Sequence, residues 1–371
     1  MPSTDHKPLL AVTMGDPGGI GPEVIVRAWA DPAVHESARL VVLGHPEIMR
    51  RAAAHVRSEV EIKPVDSTAA LAAAVADVTD AHHMACLTMG DDAVLDAPTG
   101  VIDARAGEAA YQAVVRATRG ALAGEFDGLV TAPLNKAGLH AAGHWYPGHT
   151  ELLAELCGVD DFAMMLYLPA EELARQGKKS QAGLGVIHST LHCAMRDVFD
   201  QLTPERIAAK CGLANAVFAE GFGVEQPRIG VLALNPHAGE SGLFGDEESR
   251  IIEPGVKLAQ QSGINAAGPY PADTLLIRAV DGEFDGVVAM YHDQGHIALK
   301  LLGMHRAVNI TLGLPIVRTS VAHGTAFDKA WSKDADTSPA ESTGMVAAIK
   351  AASELARRGF HFKTTNAGVI A

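Results

Sequence analysis

The chain is short of several things, and each shortage narrows what it does. Four cysteines stand among 371 residues, Cys86, Cys157, Cys193 and Cys211, and none form a CxxC pair. That spacing argues against a disulfide framework or a zinc knuckle and fits a reduced, cytoplasmic setting. Aromatic residues are only 5% of the chain, which disfavours an aromatic binding surface. Cations are scarce: 30 Lys and Arg face 44 Asp and Glu, a formal net charge of −14. Nucleic acid is a poor partner for such a balance, because phosphate contacts need clustered Lys and Arg. Long apolar runs are missing too, with none near the roughly 18 residues that read as a membrane span. The opening MPSTDHKPLLAVTMGD lacks the charged and apolar regions of a secretion signal. No membrane partner is expected.

Glycine is plentiful, at 37 residues, and apolar side chains make up 48%. A large core is therefore available. At roughly 100–200 residues per domain, the length suggests two domains. Short β-branched runs alternate with longer helical patterns. LLAVTM (9–14), ARLVVLG (38–44), GLVTA (128–132), LGVIHST (184–190), IGVLALN (229–235) and GVVAMY (286–291) read as strands. Helical patterns cover 22–30, 69–78, 108–122, a segment opening at 151 and closed by Gly158, and 345–359. The alternation predicts an α/β fold with a mainly parallel sheet. GEFDGLV (124–130) and GEFDGVV (282–288) nearly repeat, as if one helix–turn–strand solution were used twice. The polar stretch 170–183 reads as an exposed insertion between strands.

In open α/β sheets, ligands sit beyond the carboxyl ends of strands. Three strand-like runs deliver a histidine there: His192, His237 and His292, the last followed by Asp293. Three imidazoles suit a divalent transition metal with open positions for substrate. With 17 histidines in the chain, ordinary structural roles compete with that reading. MGDPGGIGPE (14–23) is a Gly-rich strand–helix joint, but its spacing is not GxGxxG, so the dinucleotide fingerprint is absent. His149 and Thr150 fall at a predicted helix start, where free N–H groups favour anions; Thr150 also suits an N-cap. Lys300 and Arg318 are the candidate cations for such an anion, and Asn309 lies in a strand-like run.

The ordered set MGDPGGIGPE, VTAPLNK (130–136), GHTE (148–151), LNPHAGE (234–240), PADT (271–274), AMYHDQGH (289–296) and VNITLGLPIVRTSVAHGTAFD (308–328) resembles the 4-hydroxythreonine-4-phosphate dehydrogenase family of pyridoxine biosynthesis. The resemblance implies the isocitrate/isopropylmalate dehydrogenase-like fold, two α/β domains with an interdomain cleft. Residues 1–140 with 318–371 would form a discontinuous first domain. Residues 141–317 would form the second, with the metal site and the dimer interface. A homodimer with a shared active site is implied, with NAD or NADP as cofactor and a divalent metal, zinc or else Mg, Mn or Co. The metal ligands map onto His192, His237 and His292, drawn from both subunits. Substrate-binding positions map onto His149, Thr150, Asp273, Lys300, Asn309 and Arg318. The stretch containing His323, Gly324 and Thr325 resembles the cofactor segment. Lys300, then Asp293, is the expected catalytic group.

The implied reaction is oxidation of a 4-phosphorylated four-carbon hydroxy acid with loss of CO2. The stretch AMYHDQGHIALKLLG is closer to relatives acting on threonate or erythronate 4-phosphate, and other relatives oxidise cyclic diol carboxylates. The chain departs from the family pattern at Cys193, at Ala322 and in KAWSKDAD (329–336). Two readings of other classes are a phosphate acyltransferase-like enzyme and a non-catalytic sensor of a phosphorylated metabolite. The histidine trio speaks against both.

Overall fold

In the computed structural model, residues 7–67, 79–332, 341–365 and 368–370 are described. The helix expected over 69–78 lies outside them, as does the end of the 329–336 segment. The strands are β1 Leu9–Thr13, β2 Arg39–Gly44, β3 Glu61–Val65, β4 Thr79–Asp80, β5 His83–Thr88, β6 Gly128–Thr131, β7 Ala163–Leu168, β8 Leu184–His188, β9 Ile229–Leu232, β10 Ala266–Tyr270, β11 Gly286–Ala289, β12 Val308–Leu312, β13 Arg318–Val321, β14 Lys363–Thr365 and β15 Gly368–Ile370. The chain divides into two compact units. One runs to Asp160 and adds Leu314–His361; the other is Asp161–Gly313 with the C-terminal residues from Phe362. Sequence reading set the divisions at 140/141 and 317/318. Residues 141–160 stay with the first unit because the helix His149–Cys157 packs on the long helix Ala104–Leu122.

The first unit has strand order β13-β6-β1-β2-β5-β3, and every one of these pairs is parallel. Only the short β4 runs antiparallel, on β5. The second unit has the order β10-β9-β11-β8-β7-β12. Its first three pairs are parallel, while β7 runs antiparallel to both β8 and β12. The expected α/β class with a mainly parallel sheet is what the chain adopts. Parallel strands covered on both faces are apolar throughout, and β1, β2, β6, β8, β9 and β11 are nearly all buried. β5 (HMACLT) and β7 (AMMLYL) escaped sequence reading because Met, Ala and Cys replace the β-branched residues that mark a strand.

Local chemistry sets the ends. The helix Ala104–Leu122 begins four residues before the expected 108, because the Asp103 side chain accepts from the Arg105 N–H as N-cap. The helix His149–Cys157 stops at Gly158, which takes a left-handed conformation (φ 65°). The GEFDG echo is one device used twice. Asp127 and Leu9 exchange bonds, Leu9 N–H to the Asp127 carboxylate at 2.7 Å and Asp127 N–H to the Leu9 carbonyl at 2.9 Å. Asp285 and Arg228 do the same, at 2.9 Å in both directions. Each aspartate thus ties the foot of its strand to the neighbouring one. The stretch 170–183 is not wholly an exposed insertion: it opens with a helix, Ala170–Arg175, whose Leu173 is fully buried. Among the described residues no helix is long and apolar enough to cross a membrane.

Candidate functional site

In the second unit, β11 runs directly into the helix His292–Gly303, so His292 opens that helix. Its Nδ1 lies 2.7 Å from the Asp293 carboxylate. A carboxylate accepts only, so Nδ1 carries the proton and Nε2 presents its lone pair in the neutral ring. This pairing of a carboxylate with an imidazole is common behind metal-binding histidines. The exposed His192 brings its ring to 5.6 Å from that of His292.

Two further histidines join them. β8 ends on His188, which is 1% exposed, and His296 is 8% exposed. His188 Nδ1 is 3.2 Å from the Met164 carbonyl, and His188 Nε2 is 3.0 Å from His296 Nδ1. The His296 ring stacks on that of His292, 3.8 Å between centroids and 14° between planes. Burial is the main cause that pushes both imidazoles toward the neutral form, His188 to about 4 and His296 to about 2; for His296 the charges of His188, His292 and Lys300 add to it.

His237 arrives by an unusual backbone. Residues His237 to Ser241 all have positive φ, from 45° to 76°, a left-handed turn of which only Gly239 is a glycine. Such conformations cost about 1–2 kcal/mol for each ordinary residue, and they collect at functional sites. Glu248 holds the turn's entry. Its buried carboxylate accepts from the N–H of Leu234 and of Asn235, at 2.9 and 2.7 Å, and from the Asn235 side-chain amide at 3.0 Å. The His237 ring lies beside Phe244, at 6.3 Å.

The first unit carries the anion-binding features. Arg318 opens β13 and is 2% exposed. It donates from Nη2 to the Thr131 hydroxyl on β6 at 2.7 Å. Burial lowers its pKa to about 9, partly offset by the charge of Glu151. His149 begins the helix His149–Cys157, and burial, then the charge of Arg318, drives it well below the usual imidazole range. Its Nε2 is buried with no hydrogen-bond partner among the described residues. Thr150 is not the N-cap: Gly148 holds that position, with no side-chain capping bond. The glycine at the N-cap thus supplies no side-chain acceptor to the first N–H groups of the helix.

The Gly-rich turn also lies in the first unit. A Cβ on Gly19 would stand 2.9 Å from Thr325, and Ile20 N–H donates to the Thr325 carbonyl at 3.0 Å. The segment His323, Gly324 and Thr325 is thus fastened to that turn, while Gly324 itself is exposed, with open space beside it. Asp16, in the same turn, is fully buried. One carboxylate oxygen accepts from Gly18 N–H at 2.9 Å and the other has no partner among the described residues. Burial raises it from its usual 3.8 to about 6.

The expected residues thus fall into separate groups. His149, Thr150, Arg318, His323, Gly324 and Thr325 belong to the first unit. His192, His237, Asp273, His292, Asp293, Lys300 and Asn309 belong to the second. His192 and His292 are brought together. His237 is not: among the described residues of the single chain no group of three His, Cys, Asp or Glu is placed to hold an ion. Lys300 follows His292 by two helical repeats of four on the same helix. The Asn309 side-chain oxygen, on β12, is buried without a partner among the described residues. Asp273 is exposed and accepts from the neighbouring Thr274 N–H at 2.9 Å. Sequence reading missed His188, His296, Glu248 and Asp16. The i, i+4 spacing of His292 and His296 was the available signal; nothing local marked the others.

Comparison with known proteins adds to this geometry. The family described as pyridoxal phosphate biosynthetic protein PdxA matches residues 36–352. The chain is 44% identical to the D-threonate 4-phosphate dehydrogenase of Pectobacterium atrosepticum, over 94% of this chain and 99% of that one. It is 43% identical to the 4-hydroxythreonine-4-phosphate dehydrogenase of Geobacter metallireducens, over 96% and 97%. Among solved structures, the 4-hydroxythreonine-4-phosphate dehydrogenase of Klebsiella pneumoniae superposes with a TM-score of 0.79 at 41% identity, covering 94% of this chain and all of that one.

Proposed function

The chain belongs to the pyridoxal phosphate biosynthetic protein PdxA family and is an oxidoreductase of the dehydrogenase kind, and from that premise we propose its substrate, cofactor and site residues. The substrate is a 4-phosphorylated four-carbon hydroxy acid, 4-hydroxythreonine 4-phosphate first, oxidised at a secondary alcohol with loss of CO2. The observation that carries this is Arg318, a guanidinium at 2% exposure beside the helix start of His149 and Thr150. Thr131 and the charge of Glu151 hold this guanidinium in place at the head of that helix, as a fixed, planar donor suited to a carboxylate or phosphate. Arg318, His149 and Thr150 hold the substrate's anionic end, with Asn309, Lys300 and Asp273 as the further substrate contacts. Anchoring that remote group orients the reacting carbon.

His192, His237 and His292 are the proposed ligands of a divalent metal, zinc first. The donor set fits: His292 is held by Asp293 in the tautomer that leaves Nε2 to coordinate. From the family resemblance, the reading includes a homodimer in which both subunits contribute ligands. When bound, the metal supplies Lewis acidity at the reacting hydroxyl, and NAD or NADP, held by His323, Gly324 and Thr325, supplies the hydride acceptor. Lys300 transfers the proton or stabilises charge at the reacting centre, with Asp293 the second choice.

A second reading, D-threonate 4-phosphate as substrate, is favoured by the relative of that name at 44% identity. Absorbance at 340 nm with both phosphorylated acids, NAD or NADP, and Zn, Mg, Mn or Co tests both. Turnover of 4-hydroxythreonine 4-phosphate supports the first and preferential turnover of D-threonate 4-phosphate the second. Silence with every combination would sink the dehydrogenase assignment at this site. If His237→Ala keeps both metal content and turnover, the ligand assignment fails.

A further inference from the structure

The helix His292–Gly303 places His292, His296 and Lys300 at i, i+4 and i+8, on one face. The first and last have proposed roles; the middle one has none so far. Its surroundings are unusually constrained. Met164 offers a carbonyl, which can only accept, so His188 Nδ1 carries a hydrogen. At 1% exposure the His188 ring is neutral, so its Nε2 is an acceptor. With the proton on the Met164 side, His296 Nδ1, 3.0 Å away, donates to His188 Nε2. Met164 carbonyl, His188 and His296 thus form one continuous hydrogen-bonded chain, with the His292 backbone as a second partner of the His188 ring. A separate feature makes room for it. A Cβ on Gly295 would stand 2.9 Å from His188 Nε2 and 2.4 Å from Val186, so a glycine there lets the His188 ring reach His296.

We propose that His188 and His296 are positioning residues for His292. His188, pinned by the β7 carbonyl, fixes the plane of the His296 ring. That ring, stacked face to face on His292, fixes the plane of the His292 imidazole, whose edge Asp293 already holds. The His292 lone pair is thereby aimed along one direction before any ion arrives. His188 acts only through His296.

The inference rests on reading His292 as a metal ligand. Its test is titration of the full-length protein with Co(II), read by visible ligand-field absorbance and by chelator competition. Wild type binds, and His292→Ala loses the band; if His292→Ala binds as wild type does, the metal reading itself is wrong. His296→Phe keeps a ring over His292 but cannot donate to His188. It is expected to weaken Co(II) binding roughly 10-fold and to alter the band, at the scale of outer-shell substitutions. His188→Leu should give a similar loss, and His188→Gln, which keeps an acceptor toward His296, should restore most of it. In a His296→Phe background, His188→Leu should cost nothing more. Wild-type affinity and spectrum for His296→Phe, or full additivity in the double variant, would overturn the positioning role. His296→Phe decides the matter even if a His188 variant does not fold.

Discussion

Asp16→Asn is the perturbation whose consequence follows most directly from the structure. Asp16 is fully buried, one carboxylate oxygen bonded to Gly18 N–H and the other without a partner among the described residues. Burial raises it from 3.8 to about 6, with Gly18 opposing and the charge of Asp103 assisting. The folded state therefore holds this proton more tightly than the unfolded state does. Below pH 4 both states are protonated and nothing is lost. Between about pH 4 and 6 the unfolded chain ionises first, and stability falls as pH rises. Above 6 the full penalty stands. At about 1.36 kcal/mol per pH unit it comes to about 3 kcal/mol.

Asparagine keeps the acceptor for Gly18 and cannot ionise, so the variant lacks this pH dependence. Burying its amide costs about 1–3 kcal/mol at every pH, which offsets the gain but cannot reproduce its slope. Trp29, Trp145 and Trp331, the only tryptophans, all lie in the same unit as Asp16. Tryptophan fluorescence during urea unfolding at pH 4.5, 5.5 and 7 thus reports the relevant unit. The variant should gain about 2 kcal/mol on wild type between the lowest and highest of these, since the unfolded carboxyl is already largely ionised at pH 4.5. Parallel stability curves for the two proteins would refute the reasoning.

Other outcomes follow from the same kind of argument. Glu248→Ala should cost about 2–4 kcal/mol in denaturant unfolding, since the N–H groups of Leu234 and Asn235 lose their acceptor, and Co(II) titration should show metal affinity falling with it as the left-handed turn of His237 loosens. Gly295→Ala should cost about 1–3 kcal/mol by overpacking against Val186 and His188, seen as a lower thermal midpoint. Lys210→Met should cost less than about 2 kcal/mol by urea titration, although Lys210 is buried against Asp161 at 2.5 Å, because Asp161 is half exposed and regains water. Arg318→Lys should raise KM for the phosphorylated acid at least about 10-fold in the 340 nm assay, because an ammonium cannot replace the planar fork at that site.

Much of this molecule could be read without coordinates. Seven of the strands were legible from strand-like runs, β12 among them, and the class of fold from their alternation with helices. Arg318 and the histidines after the strands stood out because such groups are costly at the end of a buried run, and His149 because it falls at a predicted helix start. What escaped had no local mark. β7 is built of Met, Leu, Ala and Tyr and reads equally as helix or strand. Glu248 belongs to a polar stretch that looks like surface until its carboxylate is found under the turn carrying His237.

Sequence by itself determined the alternation of elements and which residue types arrive at strand ends, since these depend on neighbours a few positions apart. Tertiary structure alone decided which of those residues meet. His188 and His296 are 108 positions apart and touch because β8 and β11 pair in register, with Ala289 beside His188. Asp16 is unremarkable in a Gly-rich turn until burial removes its water. Strand order and register are long-range properties, and the energies of buried charges follow from them.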